Sequence, residues 1–458
     1  MKTPLISLKD SIDETVSVEG WIYRMRVHPN VAFLDVRDAS GLLQVAGDPA
    51  LLPEGLGVED LVRVTGKVVQ RGERYINADQ PLGAIELQMT STKIISSSAQ
   101  TPFVLNQSTA DIDEAVRLKY RYLDLRTERM QTNLLLRHKL AQGFRQHFND
   151  QGFLEIETPM LTKGTPEGAR EFLVPSRLYP GEGYVLPQSP QQFKQLLMIS
   201  GVEKYYQFAR CFRDEDSRKD RQPEFTQIDI EMSFVDRDDV MNLLETAMRD
   251  VISKVAPDKK LPEGDFPIMT YDEVMAQYQS DKPDIRKDKE DPNELAFLWV
   301  VDFPMFERDE ETGKLNAMHH PFTAPDIDDI SELDAPVEEL LKMKTRAYDL
   351  VLNGYEVGGG SIRISNAELQ QRVLQALGVD GEDIQNRFGH LLEALTFSPP
   401  PHGGVAVGYD RLVAILANEP NIREVMAFPK TGESKDLLMR SPSDLTDDQL
   451  KQVGLKKR

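Results

Sequence analysis

Cysteine is almost absent: the chain has one, Cys211, in 458 residues. No intrachain disulfide can form, which excludes the disulfide-stapled secreted classes and fits a reducing compartment. Cys211 lies in an apolar, strand-like run and reads as a small core residue. Long apolar runs are missing too. None approaches the about 20 residues a helix needs to span a bilayer, so no membrane association is expected. The opening stretch MKTPLISLKDSIDE lacks the basic-then-apolar pattern of an export signal, and a cytoplasmic location is the expectation. Cations are in the minority: 54 Lys and Arg against 75 Asp and Glu leave a formal charge of −21. That disfavours non-specific attraction to nucleic acid through bulk charge but permits a local basic groove. No G-x-x-x-x-G-K-[ST] loop occurs, so a P-loop is ruled out. The pair His319-His320 has no Cys or third His at ligand spacing, which argues against zinc.

The length suits two or three domains. Residues 1–100 read as short strands separated by Gly, Pro and Asp. In VAFLDVRD, Ala32, Leu34 and Val36 share one face, while Val31, Phe33, Asp35 and Arg37 share the other. Gln44 alternates with Leu43 and Val45, and Glu86 with Ile85 and Leu87. This pattern predicts a small barrel over 1–103. A polar hinge follows over 104–130. From 131 to 430 helices and strands mix. Leu136, Leu140, Phe144 and Phe148 recur at four-residue steps and predict a helix. Strands are expected near 152–160, 204–213, 225–234, 297–303, 355–365 and 404–409. Clustered strands without regular βαβ alternation predict an α+β fold with a largely antiparallel sheet. A charged connector fills 279–294, and a polar extension fills 431–458.

The stretch FRDEDSRKDRQPEFTQ, residues 212–227, carries nine charged side chains in sixteen positions between two apolar strands. In the strand after it, Thr226, Ile228, Ile230, Met232 and Phe234 form an apolar face; Phe225, Gln227, Asp229, Glu231 and Ser233 form the opposite one. A polar row on a central strand is costly unless it binds something. Arg213 beside Phe225 suits a nucleotide, the guanidinium on a phosphate and the ring on a base. A salt-bridged surface hairpin is the alternative.

FRDEDSRKDRQPEFTQID (within 205–234) resembles motif 2 of the class II aminoacyl-tRNA synthetases. GFLEIETPML (152–161), with Pro159, resembles motif 1, and HGGVAVGYDRL (402–412) resembles motif 3. The signatures TPEGARE, QSPQQFKQLLM, MHHPFT and NGYEVGGGSIR resemble those of the bacterial aspartyl-tRNA synthetases. The likeness spans almost the whole chain and implies an OB-fold anticodon-binding barrel followed by a class II antiparallel-sheet catalytic domain. One departure stands out: the family's insertion between motifs 2 and 3 is replaced by the short connector 279–294.

The resemblance implies ATP and Mg²⁺, L-aspartate, tRNA(Asp) and a homodimer. It implies that Arg213 holds the α-phosphate and the substrate carboxylate, and Arg411 the γ-phosphate. Both sites need a guanidinium fork. Phe225 would stack on adenine. Asp214, Glu215, Gln222, Glu356, Gly408, Tyr409 and Asp410 complete the expected ATP site. Asp349 and Glu356 are the expected Mg²⁺ ligands, being hard oxygen donors beside a glycine run; as a lone pair they would read as solvated surface acids. For the amino acid, Lys194 and Arg363 suggest a positive pocket selecting a side-chain carboxylate. Glu167, Gln191 and Asp229 would bracket the ammonium group, and His319 would close the pocket. A lone helix Lys194 could equally snorkel to solvent.

On the barrel, Phe33 reads as a stacking platform, Arg24 and Arg26 as phosphate contacts, and Gln44 and Glu86 as readers of anticodon bases. A solvated barrel face is the alternative. His28 resembles a residue of relaxed enzymes that also charge tRNA(Asn), with an amidotransferase downstream. Pro29-Asn30 departs from the usual glycine-rich loop. Rival readings are an asparagine–tRNA ligase, an asparagine synthetase-like ligase and a non-catalytic tRNA-binding paralogue.

Overall fold

The computed structural model describes residues 3–164, 168–216, 219–309 and 312–456. The chain folds as two compact units, Met1–Arg129 and Met130–Arg458.

In the first unit, five strands close into a barrel: β1 (Thr15–His28), β2 (Val31–Asp38), β3 (Gly41–Gly47), β4 (Leu61–Gln70) and β5 (Ile85–Ser96), in the order β1-β2-β3-β5-β4. The strict two-residue alternation is the cause. Ala32, Leu34, Val36, Leu43, Val45, Ile85 and Leu87 all point inward and are buried. A bulge between Ile22 and Arg24 shifts the β1–β2 register, so that Arg24 faces Asp35 and Arg26 faces Phe33. The expected hinge belongs to this unit. Asp124, fully buried, accepts from Thr109 and Arg121 at 2.6 Å each and lies 3.5 Å from Arg117, which ties the segment down.

The second unit is built on an eight-stranded sheet flanked by two hairpins. The strands are β6 (Leu154–Glu155), β7 (Leu173–Pro175), β8 (Gly183–Val185), β9 (Lys204–Phe212), β10 (Glu224–Ser233), β11 (Ile268–Thr270), β12 (Phe297–Val301), β13 (Phe306–Arg308), β14 (Leu315–Ala317), β15 (Ala347–Leu352), β16 (Tyr355–Ile362) and β17 (His402–Gly408). The sheet order is β11-β12-β15-β16-β17-β10-β9-β6, with β7–β8 and β13–β14 as the hairpins. The two edge pairs are parallel and the five central pairs antiparallel. Helices Glu128–Asp150 and Arg237–Val255 cover one face. Leu140, Phe144, Phe148, Leu244 and Met248 bury against Ile228, Ile230, Trp299, Leu350 and Val405 there. Burying each large side chain contributes about 1.5–3 kcal/mol, which makes this face the main support of the unit. Phe234 departs from its expected place: the strand ends at Ser233, Phe234 takes φ 60°, and its ring is 67% exposed. The connector 279–294 is a compact coil, held by Arg286 on Asp284 (2.8 Å) and by Glu294 accepting from the backbone of Lys287 and Asp288.

Candidate active site

The sheet face opposite those helices carries the polar row. Across five strands, Gln207, Asp229, Ala406, Gly359 and Asp349 stand side by side in register. One pair further along β10, Glu231 faces Gly404, and Gly404 faces Ser361. The small residues keep a trough between the acids. A Cβ at Gly404 would lie 2.1 Å from Glu231 Oε2, and one at Gly359 would lie 2.7 Å from Asp349 Oδ1. Gly359 on β16 and Gly404 on β17 are therefore steric requirements of the neighbouring carboxylates.

At one end of the trough, four charged side chains meet out of water. Helix Gln191–Ile199 delivers Lys194, whose Nζ donates to Asp229 Oδ1 at 2.9 Å and lies 3.6 Å from Glu231 Oε2. Arg363, just past β16, donates from Nε and Nη2 to Glu231 at 2.9 and 3.1 Å. Its Nη1 donates to Ser361 Oγ and to His320 Nε2, at 2.9 and 2.8 Å. Lys194, Asp229, Glu231 and Arg363 are all buried. Burial alone would raise the Glu231 carboxyl, but Arg363 and Lys194 hold it below its ordinary value. His320 is pushed well below its ordinary value by burial and by Arg363, as a ring accepting from a guanidinium must be.

This corrects the expected positive pocket. Glu231 stands two residues beyond Asp229 on the same face and balances the second cation. The four charges close on themselves, as buried charges must. Specific capacity remains. Four of the five N–H groups of Arg363 are engaged, leaving one on Nη2. Asp229 Oδ2 has no hydrogen-bond partner among the described residues. His319 meets Asp349 Oδ1 at 3.2 Å through its Nε2, and its neighbour His320 lies against Arg363. Gln191 is buried at the start of the same helix, and Glu167 lies outside the described residues. Sequence spacing does not single out Glu231 or His320 as site residues. Parity gave Glu231 a face but not a partner.

Beside the trough a cleft opens, lined by Arg213, Glu215, Gln222, Phe225, Glu356, Gly408 and Arg411. The charged loop between β9 and β10 forms one wall. The Arg213 guanidinium lies 5.1 Å from the centroid of the Phe225 ring, and its Nε has no partner among the described residues. Arg411 reaches Asp220 Oδ2 at 3.1 Å and donates to the Glu356 carbonyl, with its Nε also unpartnered. Glu215 pairs with Arg221 at 3.1 Å. The Gln222 amide is engaged at both ends by the Lys430 backbone, which fixes the loop Lys430–Glu433 to the cleft. Three expected residues sit differently. Tyr409 turns into the core, edge-on to Phe208 at 5.2 Å, with its hydroxyl donating to the Arg137 carbonyl. Asp410 lines the cleft, but one oxygen takes Arg137 and the other the Thr226 N–H at 2.7 Å, so it braces the floor. Asp214 lines a neighbouring hollow with Arg170 and Arg221 rather than the cleft itself.

Asp349 and Glu356 face each other across Gly359: a Cβ there would meet Asp349 Oδ1 at 2.7 Å and Glu356 Oε1 at 3.5 Å. The Asp349 charge, with burial, raises the Glu356 carboxyl against the pull of Arg411. Two carboxylates this close, only partly offset by His319 and Arg411, fit a hard divalent cation that keeps most of its ligands from substrate and water. Burial lowers His319, but Asp349, Glu356 and Asp281 together raise it, and it ends above its ordinary value.

On the barrel, the expected residues do gather. Register places Arg26, Phe33, Ala46 and Gln88 in one line and Arg24, Asp35 and Gln44 in the next, where the Gln44 side chain reaches Glu86. The Arg26 guanidinium is 5.6 Å from the Phe33 centroid, and His28 meets the ring edge-on at 6.3 Å. Gln44 donates to Glu86 at 3.0 Å and accepts from Arg71 at 3.3 Å. Asp35, raised by burial, is drawn back by Arg26, Arg24 and Arg71. Arg71 was not legible in sequence, because it follows β4 outside any alternating pattern. Three arginines on one small face supply local positive charge within an acidic chain.

Residues 113–432 match the family of class II tRNA synthetases (D, K and N), and residues 16–95 match the OB-fold nucleic acid binding domain. The chain is 37% identical to an aspartate–tRNA ligase of Staphylococcus aureus, over 98% of this chain and 97% of that one. It is 39% identical to the aspartate–tRNA(Asp/Asn) ligase of Trichodesmium erythraeum, over 97% and 96%. The Staphylococcus alignment runs over 577 positions, 119 more than the 458 residues here, so at least that many positions of that relative have no counterpart in this chain. In fold, the chain is similar to the asparaginyl-tRNA synthetase of Pyrococcus horikoshii, with TM-score 0.74 and 22% identity over 94% of this chain and 98% of that one.

Proposed function

The chain belongs to the class II tRNA synthetases of the D, K and N group, and on that premise we propose that it is an aspartate–tRNA ligase. The reaction has two steps. The aspartate α-carboxylate attacks the α-phosphorus of ATP, forming aspartyl-adenylate and releasing diphosphate. A terminal ribose hydroxyl of the tRNA then attacks the adenylate carbonyl, and AMP leaves. Neither step needs a protein acid or base as much as alignment and charge neutralisation. Arg213 binds the α-phosphate and the attacking carboxylate, Phe225 stacks on adenine, and Arg411 holds the γ-phosphate. Asp349 and Glu356 would hold Mg²⁺, which supplies charge neutralisation on the phosphates when bound.

The observation that carries the amino-acid assignment is the buried cluster at the end of the trough. The unengaged N–H of Arg363 and the Lys194 ammonium offer donors to a side-chain carboxylate. Asp229, whose Oδ2 accepts no hydrogen bond among the described residues, sets a negative charge toward the ammonium group. A side-chain amide would turn N–H groups against N–H groups, a mismatch of the kind that rejects by orders of magnitude. The four-charge cluster is preorganised and does not reorganise on binding.

The barrel face binds the anticodon through Phe33, Arg24, Arg26, Gln44 and Glu86. The chain acts as a homodimer through the motif 1 edge, where Leu154, Met160 and Leu161 are exposed. The connector 279–294 stands where the longer relatives carry their extra segment. His28 points to charging of both tRNA(Asp) and tRNA(Asn), with an amidotransferase acting next, in a cytoplasmic setting.

Aspartate-dependent ATP–diphosphate exchange tests the assignment. Wild type exchanges with aspartate, and Arg213→Ala loses exchange while keeping its fold. Exchange with asparagine alone, or near-normal exchange in Arg213→Ala, refutes it. Charging purified tRNA(Asp) and tRNA(Asn) side by side decides the tRNA range; charging of tRNA(Asp) alone overturns the reading of His28.

A further inference from the structure

Helix Gln191–Ile199 carries a further polar side chain that the proposed reaction does not use. Gln195 is fully buried, and a buried amide needs partners at both ends. Its oxygen meets Gln191 Nε2 at 3.2 Å, and its nitrogen meets His402 Nε2 at 3.3 Å. His402 is also fully buried, and its Nδ1 lies 2.8 Å from the Pro400 carbonyl oxygen. A carbonyl only accepts, so Nδ1 carries the proton. Burial holds the ring below its ordinary value. Arg363 pushes the same way, while Glu231 and the Pro400 carbonyl oppose. The neutral ring then presents a bare lone pair at Nε2.

Only the NH₂ end of Gln195 can face that lone pair. The oxygen of Gln195 is thereby turned to Gln191, and only the NH₂ end of Gln191 can face it. Each orientation follows from the one before, starting from a backbone carbonyl with a single chemical role. What remains is Gln191 Oε1. It accepts no hydrogen bond among the described residues, so its acceptor capacity is unused.

We propose that His402 is a positioning residue for the amino-acid substrate: through Gln195 it fixes the Gln191 amide with its oxygen toward the substrate's ammonium group. The inference rests on the reading of Gln191 and Asp229 as the ammonium site. A reversed Gln191 would set N–H donors against the ammonium and its own oxygen against that of Gln195. The relay makes the reversed state costly before any substrate arrives, which is preorganisation rather than contact.

Succinate, aspartate without its ammonium group, is the probe. Exchange kinetics give the KM for aspartate and for ATP, and competition gives the inhibition constant of succinate. His402→Phe keeps the ring but removes the lone pair and the N–H. Its aspartate KM is expected to rise about tenfold or more, the worth of a hydrogen bond to a charged group. Its ATP KM and its succinate constant stay near wild type. Gln195→Met gives the same pattern, and the double variant is no worse than either single one, since both break one relay. Aspartate and succinate weakening together, or neither weakening, overturns the proposal. If His402→Phe does not fold, Gln195→Met decides by the same aspartate-to-succinate ratio. A wild type without aspartate-dependent exchange overturns the assigned function and the relay together. An active wild type with unmoved ratios in the variants overturns the relay alone.

Discussion

Replacing Glu231 by Gln tests the buried cluster directly. The change keeps the side-chain volume and removes one charge. In the wild type, the Glu231 carboxylate takes two N–H groups of Arg363 at 2.9 and 3.1 Å, with Lys194 at 3.6 Å. The side chains of Glu231 and Arg363 are 0% and 1% exposed. Removing one partner of such a pair leaves a buried charge uncompensated and costs about 3–5 kcal/mol. The Gln oxygen still accepts one bond, so a value near the low end, about 3 kcal/mol, is expected. That is a large part of a typical stability of about 5–15 kcal/mol, yet the variant should fold. Urea unfolding in a Trp21→Phe background leaves buried Trp299 as the reporter of the catalytic sheet. The midpoint should fall with the slope unchanged. The pH dependence has a definite sign. The Glu231 carboxyl is held below its ordinary value of 4.5, so its contribution is complete above that pH and is lost as pH falls through the depressed value. The gap between wild type and variant should therefore hold from pH 7 down to near 4.5 and shrink below. A gap under about 1 kcal/mol at pH 7, within the range of an exposed pair, would refute the reasoning. A gap that widens in acid would refute it equally.

Gly359→Ala places a Cβ 2.7 Å from Asp349 Oδ1 and should displace that carboxylate. Adenylate formation is expected to fall about 10²-fold, the cost of a small misplacement at a reacting centre, with the melting temperature little changed; wild-type exchange would remove Asp349 from the site. Phe33→Ala removes the stacking platform beside Arg26. The KM for tRNA should rise about five- to 150-fold, the worth of one stacked base, while exchange without tRNA stays at the wild-type rate. Equal loss of both activities would sink the division of labour between the two units.

Much of the fold was legible in order along the chain. The alternation in VAFLDVRD put Ala32, Leu34 and Val36 inside a barrel, because a strand's side chains have no choice but to alternate. The four-residue spacing of Leu136, Leu140, Phe144 and Phe148 gave the long helix for the same kind of reason. Parity also put Gln227, Asp229 and Glu231 on one polar face, and motif likeness pointed to Arg213, Arg411, Lys194 and Arg363.

The sequence by itself determined which side chains share a face, which segments could form strands, and which family signatures stand in what order. Those properties depend on neighbours a few residues apart, and local geometry is enough to decide them. Only the tertiary structure decided who meets whom. Glu231 meets Arg363 across 132 positions, Gln195 meets His402 across 207, and Asp410 is drawn to Thr226 across 184. It turned Tyr409 into the core, put His320 and not His319 against Arg363, and changed a pocket expected to be positive into a balanced one. The physical reason is desolvation. A charge removed from water must find its counter-charge wherever the sheet brings one within reach, and spacing along the chain carries no record of that partner.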